Sequence, residues 1–124
     1  MLAQGKLEGF VFTTNYKRAR TFYEKKLGFE FVSLDPYALV MKTAKNSIRI
    51  VKLPDFTPAY NTVLGWEVKR IEKVVAWLKQ RGVTFEDYPF IQDHESRIWA
   101  APGGSRVAWF KDPDGNVLSV SEPK

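Results

Sequence analysis

Ala19-Arg20-Thr21-Phe22-Tyr23-Glu24-Lys25-Lys26-Leu27-Gly28-Phe29 sets the frame for everything around it. Tyr16, Ala19, Phe22, Tyr23 and Leu27 recur at intervals of three and four, which places them on one face of a helix. Lys17, Arg18, Arg20, Lys25 and Lys26 lie mostly off that face. Thr14 or Asn15 can cap the helix start, because a short polar side chain accepts a hydrogen bond from an unpaired first-turn N–H. Gly28 ends it, since only glycine takes the left-handed conformation at no steric cost. Residues 8–14 before the helix are β-rich. After it, strands are expected over residues 29–33, 38–42 and 47–53, broken at Asp35-Pro36 and Lys45-Asn46.

Pro54-Asp55-Phe56-Thr57-Pro58 then interrupts the pattern, because two prolines in five residues disfavour both helix and central strand. Beyond it the order restarts. Residues 63–68 read as a strand. A helix follows with Ile71, Val74, Val75 and Leu78 inward, while Lys69, Arg70, Lys73, Lys79 and Arg81 are mostly outward; Gly82 closes it. Residues 83–85 read as a strand that can extend to 90, and 91–104 carry no clear pattern. Strands over 105–111 and 117–121 flank Asp112-Pro113-Asp114-Gly115, a hairpin signal. Gly9-Phe10 parallels Gly65-Trp66, and Leu27-Gly28-Phe29 parallels Arg81-Gly82-Val83. The expectation is an α+β fold in which residues 1–124 form one domain. It comprises two βαβββ modules, 8–53 and 61–122, joined by a linker at 54–60. Each module has one bare sheet face, and two bare faces can enclose a cleft.

Composition narrows the chemistry. The 124 residues are 44% hydrophobic and 27% charged, which fits a folded globular chain rather than a disordered one. There is no cysteine and one histidine, His94, so thiolate chemistry and sites built on several His are excluded. The net charge of +5 permits an anionic partner. The cationic positions are spread over both helices and mixed with Glu24 and Glu72, and no aromatic-and-glycine RNA-binding signature is present, so no nucleic-acid partner is expected. No stretch approaches the roughly 20 apolar residues of a membrane span, so no membrane partner is expected, and a cytoplasmic location is the default reading.

Three stretches together resemble the vicinal-oxygen-chelate superfamily, which includes glyoxalase I, bleomycin-resistance proteins and extradiol dioxygenases. They are residues 19–29, residues 74–83 closing on Arg81-Gly82-Val83, and Val107-Ala108-Trp109-Phe110-Lys111-Asp112-Pro113-Asp114-Gly115-Asn116. The resemblance implies paired βαβββ modules and a homodimer. It also implies a metal held by His or Gln on the first strand, His on the first strand of the second module and Glu on the last strand, with a fourth donor on the fourth strand. Those positions fall on Glu8, Val63, Ser119 and Arg49. Only Glu8 is an ordinary ligand, so no metal or other cofactor is expected. A register slip would be needed to bring in Glu67 or Ser121.

Period-two alternation puts Glu8, Phe10 and Phe12 on one face of the first strand, and Val63, Gly65 and Glu67 on one face of the fifth. Glu8 and Arg49 are candidates for a charge pair. Trp99 is a candidate stacking residue on a lid over 91–104. The expected ligand-binding set is therefore Glu8, Phe10, Phe12, Arg49, Val63, Glu67, Trp99 and Ser119. His94 reads as a solvated loop residue, with a ligand contact or general base as its alternative. The leading functional expectation is metal-independent binding of a small organic molecule, aromatic ones included, as in the bleomycin-resistance branch. The alternatives are a metal-dependent lyase, isomerase or dioxygenase with a non-standard site, and an interaction module with an empty cleft.

Overall fold

A computed structural model describes residues 1–124. The chain divides into two compact units, Met1–Pro58 and Ala59–Lys124. In the first, β1 (Glu8–Thr13), α1 (Tyr16–Thr21), β2 (Glu30–Leu34), β3 (Leu39–Lys42) and β4 (Ser47–Lys52) follow in order. In the second the order is β5 (Thr62–Glu67), α2 (Ile71–Gln80), β6 (Trp99–Ala100), β7 (Arg106–Lys111) and β8 (Val117–Glu122). The sheets run β1-β4-β3-β2 and β5-β8-β7-β6. In each, the first strand lies parallel to the last and all other pairs are antiparallel. This is the α+β arrangement of two βαβββ units that the sequence pattern implies. No helix is long and apolar enough to cross a membrane.

Asn15 caps α1, its side chain accepting the Arg18 N–H at 3.0 Å. The helix then widens into one π-helical turn, Phe22–Lys26, closed by the Leu27 N–H on the Phe22 carbonyl at 3.2 Å. The extra residue in that turn lets the consecutive Phe22 and Tyr23 both point inward. Gly28 follows at φ +77, and the Phe29 N–H returns to the Tyr23 carbonyl at 2.9 Å. Ala19, Phe22 and Tyr23 are buried with Val11 of β1, Leu39 and Met41 of β3, and Ile48 and Ile50 of β4.

In the second unit, Ile71, Val75 and Leu78 of α2 are buried along with Ala108 and Phe110 of β7 and Leu118 and Val120 of β8. Arg70 gives α2 no side-chain cap. Glu122 of β8 does so from a distance, accepting the Ile71 N–H at 3.2 Å. The same carboxylate accepts from Arg106 Nη2 at 2.6 Å, while Arg106 Nη1 donates to Glu72. The hydrogen bond from Arg106 holds the Glu72 carboxyl below its ordinary range.

The strand expected over residues 83–85 reduces to a single bridge, Phe85 to Phe110, with the Glu86 N–H on the Trp109 carbonyl at 2.8 Å. The β7 positions that would extend it, Val107 and Arg106, are taken by Trp99 and Ala100. The edge resumes at β6, where Trp99 pairs with Val107 and Ala100 with Arg106. Residues 87–98 therefore leave the edge of the sheet and return to it. Trp99 belongs to a paired strand, a firmer placement than the lid expected from sequence.

Candidate functional site

Each unit covers one face of its sheet with its helix. In the first unit the opposite face carries Glu8, Phe10 and Phe12 from β1, Val40 from β3, and Arg49 and Val51 from β4, all exposed or half-buried. Phe10 is 59% exposed and Phe12 40%, so neither is a core residue of this unit. The Phe12 and Phe56 rings lie 5.5 Å apart. Arg49 stands in cross-strand register between Phe10 and Val40. Glu8 stands opposite Ser47 instead. The Glu8–Arg49 pair expected from sequence does not form, whereas Arg20 pairs with Glu24 and Lys42 with Glu30.

In the second unit, two rows cross the face turned away from α2. One runs Gly65–Ser119–Trp109, the other Glu67–Ser121–Val107–Trp99. The sequence-derived residues Glu67, Ser119 and Trp99 thus share one surface. Val63 sits at a register shift between Thr62 and Leu64 and is 38% exposed. Gly65 is a matter of space: a Cβ there would lie 2.6 Å from Ser119 Oγ.

An aromatic wall rises from this surface. Trp99 and Trp109 have ring centroids 5.9 Å apart, and Phe90 packs edge-on to both at 5.5 and 5.6 Å. Tyr88 stacks on Phe90 at 5.4 Å and meets Trp109 edge-on at 5.5 Å. These separations are those of favourable aromatic pairs. Trp109 is fixed by its indole N–H, which donates to Thr62 Oγ1 at 3.1 Å. Burial, aided by the charge of Glu86, raises the Tyr88 phenol above its ordinary range, so it remains neutral at physiological pH. Phe90 keeps 53% of its surface exposed, which leaves apolar ring area open at the rim.

Of these four rings only Trp99 was expected from the sequence; Tyr88, Phe90 and Trp109 were not. The available signal for Trp109 was the alternation Val107-Trp109 beside the inward pair Ala108-Phe110. Tyr88 and Phe90 had no such signal, because they lie in the excursion from the edge strand. His94 lies in the same excursion, exposed, with Nδ1 2.6 Å from Asp87 Oδ1. Arg97, at φ +66, donates through Nε to the His94 carbonyl at 2.6 Å and through Nη1 to the Phe85 carbonyl at 2.9 Å. The histidine thus takes part in pinning the excursion that carries two of the wall's rings.

The positions that the family resemblance assigns to a metal carry a carboxylate at Glu8, an alkyl chain at Val63, a hydroxyl at Ser119 and a guanidinium at Arg49. A divalent ion needs three or more N, O or S donors. No group of three or more His, Cys, Asp or Glu gathers anywhere in the chain. These residues do not fit the family's metal.

A family profile described as the Glyoxalase/Bleomycin resistance protein/Dioxygenase superfamily matches residues 7–120. Among solved structures, a protein from Bacillus anthracis assigned to the glyoxalase family superposes with a TM-score of 0.75 at 23% identity, covering 98% of this chain and 96% of that one. An antibiotic-binding protein from a Streptomyces species superposes at 0.69 with 24% identity, over 97% and 96%. Lactoylglutathione lyase from Agrobacterium tumefaciens does so at 0.69 with 18% identity, over 95% and 92%. At these identities the likeness is one of fold. No curated protein matches the sequence.

Proposed function

Since this chain belongs to the glyoxalase/bleomycin-resistance/dioxygenase superfamily, we propose that it binds a small, flat organic molecule on the open face of its second sheet, with no resident divalent metal. The observation that carries this reading is the wall of Tyr88, Phe90, Trp99 and Trp109. Four rings linked through Phe90 and Trp109 form a packed apolar surface. A planar guest gains dispersion and quadrupole interactions there with little loss of side-chain freedom, because the rings already hold one another. Ser119, Ser121 and Glu67 share the sheet face with the tryptophans and supply hydrogen-bonding groups to orient a guest.

A metal-dependent lyase, isomerase or dioxygenase is the second reading within the superfamily. The donor set counts against it, since Val63 and Arg49 stand where ligands would be needed. The antibiotic-binding relative illustrates that the fold can serve binding, and it lends the first reading support of that kind only.

The test is a tryptophan-fluorescence titration with two uncharged planar probes, 2-naphthamide and 9-anthracenecarboxamide. Saturable quenching is expected, weakened about fivefold to tenfold in Trp99→Ala and in Phe90→Ala. Quenching that does not saturate, or that is unchanged in both variants, would overturn the reading.

A further inference from the structure

The first unit presents a different chemistry. We propose that its open sheet face is an anion-recognition site in which Arg49 receives the carboxylate of a small planar organic acid.

The argument starts from where Arg49 sits. It occupies β4, an inner strand with β1 on one side and β3 on the other. Its cross-strand neighbours are Phe10 and Val40, neither of which can pair with a guanidinium through charge. Its charge acts on Asp35, whose carboxylate is already engaged by the N–H groups of Tyr37 and Ala38 at 2.8 and 3.0 Å. Glu8, on the neighbouring strand, is set opposite Ser47. A half-buried guanidinium among apolar side chains has lost part of its hydration, and a carboxylate restores that loss through two parallel hydrogen bonds. The exposed rings of Phe10 and Phe12 supply the apolar ground for the rest of such a guest.

Charge distribution points the same way. Residues 1–58 hold ten Lys and Arg against five Asp and Glu, and residues 59–124 hold nine against nine. Ten minus five leaves +5 and nine minus nine leaves zero, so the whole net charge lies in the first unit. A field of one sign concentrates anions near that unit and speeds their capture. The inference stands apart from the wall of the second unit: the wall selects by shape, whereas Arg49 selects by charge.

The experiment compares 2-naphthoate with 2-naphthamide, which have nearly the same shape and differ in charge, on the isotope-labelled full chain. Binding is followed by amide shifts in the nuclear magnetic resonance spectrum. Naphthoate is expected to shift the amides of Phe10, Val40 and Arg49 and to bind there about tenfold more tightly than naphthamide. Arg49→Gln should remove that preference, and Arg49→Lys should retain part of it. If Arg49→Gln does not fold, the wild-type preference must still fall as NaCl rises from 10 mM to 0.5 M. Equal affinity for both probes, shifts confined to residues 59–124, or a preference that survives in folded Arg49→Gln would each overturn the proposal. Tryptophan quenching by naphthamide reports on the wall separately, so either reading can fail without the other.

Discussion

Gly65 and Ser119 meet across the β5–β8 pairing, and there is space for a hydroxyl or a methyl group there but not both. A Cβ on Gly65 would lie 2.6 Å from Ser119 Oγ, whereas the next nearest atoms, the Ser119 carbonyl oxygen and Cβ, are at 3.7 and 3.9 Å. Gly65→Ala is therefore expected to destabilise the fold by about 1–3 kcal/mol through overpacking. Adding Ser119→Ala should recover most of that loss, because only ordinary contacts then remain. Urea unfolding of the two single variants and the double variant measures the coupling directly, and strictly additive effects would refute it. Asp112 offers a second test at this scale. It is buried and accepts the N–H groups of Asp114 and Asn116 at 2.9 and 3.0 Å and the Asn116 side-chain amide at 2.8 Å. Asp112→Ala leaves those donors without their acceptor and is expected to cost about 2–4 kcal/mol, read from the shift in urea midpoint. The turn itself was legible in Asp112-Pro113-Asp114-Gly115, whose Gly115 takes φ +88. The carboxylate's role as the hub of three hydrogen bonds was not, because composition does not tell which turn residues fold inward.

Between elements, the clearest device is the Glu72–Arg106–Glu122 clamp, which ties the first turn of α2 to β7 and β8. Glu72 has its folded-state pKa lowered, first by the hydrogen bond from Arg106. Its contribution to stability is therefore present above the unfolded carboxylate value and is lost as pH falls through the folded one. Wild type should melt higher than Glu72→Gln by the same margin at pH 7 and pH 6, and the margin should close only below about pH 4. Thermal melts across that range check it, and a margin independent of pH would refute it. α1 was legible from its apolar spacing and from Gly28. Its π-turn was not, although two consecutive aromatics that both have to be buried are what such a turn accommodates. The strand expected at 83–85 failed for a local reason. Val83 and Phe85 carry the right pattern and are buried, yet β6 occupies the edge of β7 beyond the Phe85 bridge.

Across the whole chain, the two units share one strand order and differ in charge and in the surface each exposes. Topology follows from periodicity, which is why both βαβββ patterns were legible in the sequence. Ligand chemistry depends on which residues share a face, and that became visible only with the register. The uneven charge has its own consequence. Lys17→Glu, Lys25→Glu and Lys45→Glu combined are expected to weaken naphthoate binding severalfold at 10 mM NaCl and hardly at all at 0.5 M NaCl. A salt-independent loss would show that the triple variant acts by contact or misfolding rather than through the field. The interrupted edge of the second sheet has a wider implication. Residues 87–98 are held to β7 by a single bridge before them and a two-residue ladder after them, and they carry Tyr88 and Phe90 between those anchors. Insertions and deletions in that detour can remodel the aromatic surface it carries while every central rung of the sheet stays in place. If the proposed wall binds as expected, such a scaffold could change its guests by editing one loop, without refolding its core.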